Sequence, residues 1–178
     1  MNRRQAIAAL ASTMTLPLVS RCTREQAPAS SETVEAEALA LLGQVAESLL
    51  RLSPDSATTL GIDTGERASL RSQLADRSAQ GQQRIASQIG ADLKRVNAFD
   101  TSALSYATRT SIEVVRSAYA TSLAGFALPY GDVAVGGWRN TPYVVIQNVA
   151  AYLDIPRFLD SDHRLENAAD AEAYLARV

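Results

Sequence analysis

The sequence has one cysteine, Cys22, and one histidine, His163, in 178 residues. A lone cysteine excludes an internal disulfide, and the two residues together cannot assemble an ordinary Cys/His zinc site. Aromatic residues make up only 6%, too few for the core of a typical sandwich or barrel, and the apolar side chains are mostly Ala and Leu, which favour packed helices. Charge of one sign is missing as well: 17 basic residues face 19 acidic ones with no run of either, so nothing offers a nucleic-acid footprint. There is no apolar stretch long enough to span a bilayer. One domain is expected at this length, with enough chain to bury a core.

What is present begins with an export segment. Arg3 and Arg4 precede an apolar run from Ala6 to Val19 that is too short and too Ala-rich for a spanning helix, so residues 1–29 read as a secretory signal and linker. The arginine pair resembles a twin-arginine signal, but NRRQAIAAL has no Phe-Leu after it, which leaves the general secretion route open. Val19-Ser20-Arg21-Cys22 resembles a lipoprotein box that would lipidate Cys22, with Arg21 standing where a small residue is expected. Ala27-Pro28-Ala29 offers a competing cleavage site. The expected location is therefore periplasmic, either released or membrane-anchored through Cys22, and in either case the mature chain is mildly acidic.

Residues 30–178 read as one helical domain. Val34, Ala38, Leu41, Leu42, Val45, Leu49 and Leu52 recur at three- and four-residue steps and predict a helix from Thr33 to about Arg51. Ser53-Pro54-Asp55 signals a new start, with Ser53 able to cap and Pro54 suited to the first helical position. Gly61 and Gly65 predict a turn with positive φ. A long helix is expected from Ala68 to Ala98, with Gly81 in its apolar stripe implying either a close crossing by a neighbouring helix or a weak spot, and Gly90 weakening it further. Another is expected from Ser102 to Phe126. Short connections between such helices make neighbours antiparallel.

The stretch from Pro129 to Asp160 differs in kind. Gly131, Gly136 and Gly137 predict an irregular loop, and Tyr143-Val144-Val145-Ile146 reads as either a short strand or the start of a buried helix. The fold class expected is thus mainly α, antiparallel amphipathic helices with a Gly-rich irregular or short β segment near 129–147. Asn167 is placed to cap a last helix from Ala168 to Arg177. That helix has no terminal punctuation, so the expectation is the N-terminal portion of a longer domain.

Candidates for chemistry are few. Trp138, Arg139 and Asn140 are the candidate contact residues for a carboxylate or peptide backbone, since Arg offers a bidentate fork and Trp a flat apolar wall. The plainer alternative has Trp138 plugging its loop into the core and Arg139 paired with an acid. His163, between Asp162 and Arg164 in a turn-like segment, is expected to be solvated or capping. The glycines of GDVAVGGW fit neither a dinucleotide nor a phosphate loop, and no serine lies in a Gly-x-Ser-x-Gly setting. Glu35 and Glu37, two apart on a helix, point in different directions and form no acid/base pair. No catalytic residue and no metal ligand is assigned.

The segments SPDSATTLGID and PYGDVAVGGWRNTPYVVIQNVAAYLDIPRFLDSDHRLENAADAEAYLARV, above all ATTLGID and ENAADAEAYLARV, resemble the N-terminal part of the bacterial domain-of-unknown-function family 885. The resemblance implies an exported, largely helical, zinc-dependent peptidase whose metal is held by a His-Glu-x-x-Pro-Gly-His motif in a C-terminal half. This sequence contains no His-Glu pair. No position inherits the catalytic roles, and zinc is implied for the full-length family only. The expected partners are a peptide substrate or the family's C-terminal portion. An autonomous periplasmic helical binding module is the alternative.

Overall fold

In the computed structural model, residues 31–129, 133–135, 143–148 and 150–178 are described. Six α-helices and one 3₁₀ helix account for most of these, and no strand occurs among the described residues. The first helix, α1 (Ser31–Leu52), buries Ala38, Leu41 and Val45, three members of the apolar stripe read from the sequence. Pro54 then opens the short α2 (Pro54–Thr59). Ser53 precedes it but its side chain caps nothing, because its backbone (φ −133°, ψ 71°) is not in the extended geometry that aims a cap hydroxyl at the first turn. Gly61 and Gly65 both take positive φ, 68° and 57°, as the turn required.

The predicted helix from Ala68 to Ala98 is interrupted. Residues Gly65–Ser72 form the 3₁₀ helix, the chain then runs extended from Gln73, and α3 spans Ala79–Asn97. Local polar chemistry outcompetes the apolar period here. The Asp76 carboxylate accepts from the Ser78 N–H at 2.9 Å, and the Ser78 hydroxyl accepts from the Gly81 N–H at 3.1 Å, so a turn and an N-cap occupy what would have been mid-helix. Gly81 does mark a close approach, made by a loop instead of a helix: a Cβ there would lie 2.0 Å from the Asp76 carbonyl oxygen.

Helix α4 (Tyr106–Phe126) begins at the Ser105 N-cap, whose hydroxyl accepts from the Thr108 N–H at 3.2 Å, four residues later than the sequence reading placed it. Leu104 is buried nevertheless, from the connector. Val96 and Phe99 at the end of α3 offer their carbonyls to the Arg116 guanidinium of α4, which supplies donors where the helix has run out of them.

Helix directions follow from side-chain pairs. Gln44 meets Arg95 and Ser48 meets Gln88, so α1 and α3 are antiparallel. The eight-residue connection between Asn97 and Tyr106 and the Arg116–Val96 contact make α4 antiparallel to α3. The start of α4 is fixed to α1 by Glu35, which accepts from the Ser105 N–H at 3.0 Å and from the hydroxyls of Ser105 and Thr108. Those bonds, the Thr108 hydroxyl first, hold its pKa below the ordinary glutamate value. The core between the three helices consists of Ala38, Leu41, Val45, Ile89, Val96, Leu104, Ile112 and Tyr119.

The Tyr143-Val144-Val145-Ile146 run is neither a regular strand nor a helix start: it follows a series of bends with a single bridge residue at Ile146, and Val144 and Val145 are 54% and 66% exposed. Helix α5 (Ala151–Ser161) contains Pro156 and buries only Phe158. Helix α6 (Ala168–Leu175) opens on a complete capping box between Asn167 and Asp170, which the sequence had marked through Asn167 alone. Among the described residues no helix is long and apolar enough to cross a membrane.

Candidate functional site

The most developed polar site lies where α2, the turn after it and the 3₁₀ helix face the end of α5 and the start of α6. Arg177 is its centre. From just past α6 the guanidinium reaches back more than a hundred residues. Its Nη2 donates to the Thr58 hydroxyl at 2.8 Å and to the Leu70 carbonyl at 3.0 Å, and its Nε donates to the Gln73 carbonyl at 3.0 Å. Its Nη1 lies 2.6 Å from His163 Nδ1. Phe158 places its ring under the same guanidinium, 4.9 Å away. Burial lowers the Arg177 pKa, with the carboxylates of Asp63 and Asp55 working the other way; an arginine nonetheless stays charged throughout the usual pH range.

A second arginine, Arg71 of the 3₁₀ helix, crosses the same seam. It donates to Asp63 at 3.0 Å, to Asp170 at 2.9 Å and to the Arg164 carbonyl at 2.9 Å. Burial opposes its charge, but the pairing with Asp63 and Asp170 outweighs it and its pKa is raised. Asp63, 3% exposed, also accepts from the Thr58 hydroxyl at 2.8 Å. Asp170 is held below the ordinary aspartate range, first by the Glu166 N–H at 2.9 Å and then by Arg71. Two arginines therefore balance two aspartates, which is the condition under which charges can be buried at all.

His163 corrects the sequence reading. It is 3% exposed, not solvated, because the turn after α5 folds inward and Tyr174 closes over the ring edge-on at 5.5 Å. An arginine can only donate, so Nδ1 accepts from Arg177 and the ring proton resides on Nε2, which donates to the Asp170 carbonyl at 3.0 Å. Both nitrogens are thus in use. The imidazole has no lone pair left to act as a base or to ligate a metal.

Between the two walls of this seam an open cleft of about 580 Å³ is lined by Thr59, Thr64 and Arg71 on one side and Asp162, Glu166 and Asn167 on the other. Thr59 bridges its mouth, donating to Asp162 at 2.6 Å. The lining is polar and of mixed charge, suited to hydrogen bonding with a zwitterionic or peptide-like group. Its hydroxyl–carboxylate pairs, Thr59 with Asp162 and Thr58 with Asp63, tie its two walls and its floor together. Among the described residues no three His, Cys, Asp or Glu side chains are grouped to hold a metal ion. With His163 committed on both nitrogens, the described residues do not fit the zinc site that the resemblance implies for the full-length family.

The model of the family described as "Bacterial protein of unknown function (DUF885)" matches residues 54–178. The chain belongs to this family. No curated protein and no solved structure matches it. Within this DUF885 chain, the two stretches that carried the likeness in sequence, ATTLGID and ENAADAEAYLARV, are the two that the seam brings together through Thr58, Asp63, Asp170 and Arg177.

Trp138, Arg139 and Asn140 lie outside the described residues, as do Arg3, Arg4 and Cys22. Sequence reasoning missed Arg71, Asp63, Asp170 and Arg177. For Asp63, Asp170 and Arg177 the available signal was that charged residues occur in both stretches that carry the family likeness; Arg71, which lies in neither, had none.

Proposed function

We propose that this chain is the N-terminal helical segment of an exported, zinc-peptidase-like DUF885 protein, without the catalytic metal motif and inactive alone. The observation that carries this reading is the seam. The stretches on which the family likeness rests build an open polar cleft with hydrogen-bonding walls, which is what one wall of a substrate cleft needs. Apolar side chains on the same part of the molecule, Tyr152, Leu165, Leu175 and Val178, stand more than half exposed and offer a surface for the catalytic portion to cover. In this reading Trp138, Arg139 and Asn140 belong to the rim that meets a peptide substrate. Residues 1–29 carry the chain across the membrane through Arg3 and Arg4, and Cys22 is the point of lipid attachment if the chain stays anchored.

The coding sequence that follows Val178 tests this. A continuation, in frame or shifted, that encodes the His-Glu motif supports the reading, and an unrelated gene there overturns it. Zinc-dependent peptidase activity of the purified 178-residue chain would overturn the assignment of inactivity. A second reading, an autonomous periplasmic helical module that binds a protein or peptide, is favoured by one observation: Ala38, Ile89, Val96 and Ile112, on α1, α3 and α4, are fully buried, so these helices share a closed core. A sharp, reversible two-state melt of a monomer favours that module.

A further inference from the structure

Among the described residues, the apolar core draws its members from α1, α3, α4, the residues joining α3 to α4, and Val135; none comes from α2, the 3₁₀ helix, α5 or α6. Helix α5 packs broadly against no other element among the described residues, and α6 packs along the 3₁₀ helix. Among the described residues, the bonds that join α5 and α6 to the α2 and 3₁₀ side are polar: the Arg177 and Arg71 fans, the Thr59–Asp162 bond and an Arg77–Asp154 pair at 3.3 Å, with the buried Phe158 ring as their apolar companion. We infer that residues 150–178 form an arm that opens and closes on the α2 and 3₁₀ wall as one unit, latched by the Arg177 guanidinium, so that opening widens the cleft between them.

The physical basis is the difference between a polar seam and an apolar core. Each hydrogen bond of the seam is exchanged for one to water on opening and so contributes little net, whereas separating the three core helices exposes apolar surface with no such compensation. The seam is also cooperative in the geometric sense. Arg177 holds Thr58, Leu70 and Gln73 at once across the seam, while His163 within the arm and Asp63 within the wall brace its two ends, so the crossing contacts form together and are lost together. Closed, its charges balance; open, they are solvated. An element held in this way opens well below the free energy of global unfolding.

Native-state hydrogen exchange on the full chain tests the latch. In the unmodified protein, amides of α6 are protected but exchange through an opening that leaves α3 and α4 protected. Arg177→Met should speed α6 exchange by about 10- to 100-fold with the α3 and α4 amides unchanged, the range expected for losing hydrogen bonds to a charged group. Thr58→Val, which keeps the side-chain volume and removes one relay hydroxyl, should give a smaller increase confined to the same amides, and it decides the matter if Arg177→Met does not fold. The inference is overturned if α6 exchanges only together with α3 and α4, if α6 amides are unprotected in the unmodified chain, or if Thr58→Val leaves α6 exchange unchanged or speeds all three helices alike.

Discussion

Replacing Tyr119 with phenylalanine should stabilise this protein, although it deletes a polar group from the centre of the fold. Tyr119 faces inward from α4 and is 2% exposed, and among the described residues its hydroxyl has no hydrogen-bond partner. The nearby Asp92 of α3 takes its bonds from Gln88 at 3.0 Å and Arg95 at 3.1 Å instead. A buried hydroxyl with no partner costs about 1–3 kcal/mol of desolvation, and the ring itself keeps its packing in phenylalanine. Tyr119→Phe should therefore gain about 1–2 kcal/mol at pH 7, or about 3–6 °C in Tm for a domain of this size. Burial, with a smaller contribution from the Asp92 charge, pushes the phenol up to about 12 from its ordinary 10. The folded state thus keeps its proton where the unfolded chain has lost it. That stability is fully present below pH 10 and is lost as pH rises toward 12.

At pH 11 the wild type should have lost about 1.4 kcal/mol relative to Tyr119→Phe, which has no phenol to ionise. Urea unfolding followed by far-UV circular dichroism at pH 7, 10 and 11, on both proteins, measures the two effects separately. The comparison cancels every other group that titrates at alkaline pH. A loss of stability in Tyr119→Phe at pH 7 would refute the reasoning, since it would mean that the hydroxyl makes a favourable bond. A gap between the two proteins that does not widen from pH 10 to 11 would refute the pKa argument alone.

The glycines of α3 should behave oppositely: Gly81→Ala forces a Cβ to within 2.0 Å of the Asp76 carbonyl and should cost about 2–3 kcal/mol, whereas Gly90→Ala meets nothing within 4 Å and should gain about 0.5–1 kcal/mol, both read by chemical denaturation. Arg116→Met removes the donor that serves the Val96 and Phe99 carbonyls at the end of α3 and should lower stability by about 1–2 kcal/mol, again by chemical denaturation. Acid should weaken the fold through Glu35 and Asp170, whose folded pKa values are lowered by their hydrogen bonds; their stabilisation is present above the ordinary carboxylate pKa of about 4 and is lost as pH falls through the lowered values. The Tm should fall below pH 4, and Glu35→Gln should show a shallower fall than the wild type.

Much of the fold was legible because burial follows the helical period. The stripes of α1 and α4 and the Asn167 start of α6 were readable from side-chain spacing alone. The failures share a cause. Leu70 and Leu74 are in phase with the stripe of α3, so the period carried a helix through residues where the Asp76 turn and the Ser78 cap stop one, and hydrophobic spacing does not register a bond between a carboxylate and a backbone amide two residues on. Val144 and Val145 have the composition of a buried strand, but a strand needs a pairing edge, and among the described residues no sheet supplies one.

His163 shows why the site was harder to read than the fold. Its neighbours Asp162 and Arg164 make it look solvated, and only partners 7 and 14 residues further on, Asp170 and Arg177, bury it. The arginines that organise the seam find their acceptors up to 119 residues away, a separation at which no local pattern constrains the pairing. A buried charge must be paired, however, and the 178-residue chain has enough acids on exposed helix faces to satisfy its arginines without burying any. That Arg71 and Arg177 are instead drawn into a seam with Asp63, Asp170 and a fully committed histidine is a cost an aliphatic contact would not carry. An interface built that way gains geometric definition at the expense of net stability. This is consistent with an element that must seat in one place and still be able to leave it.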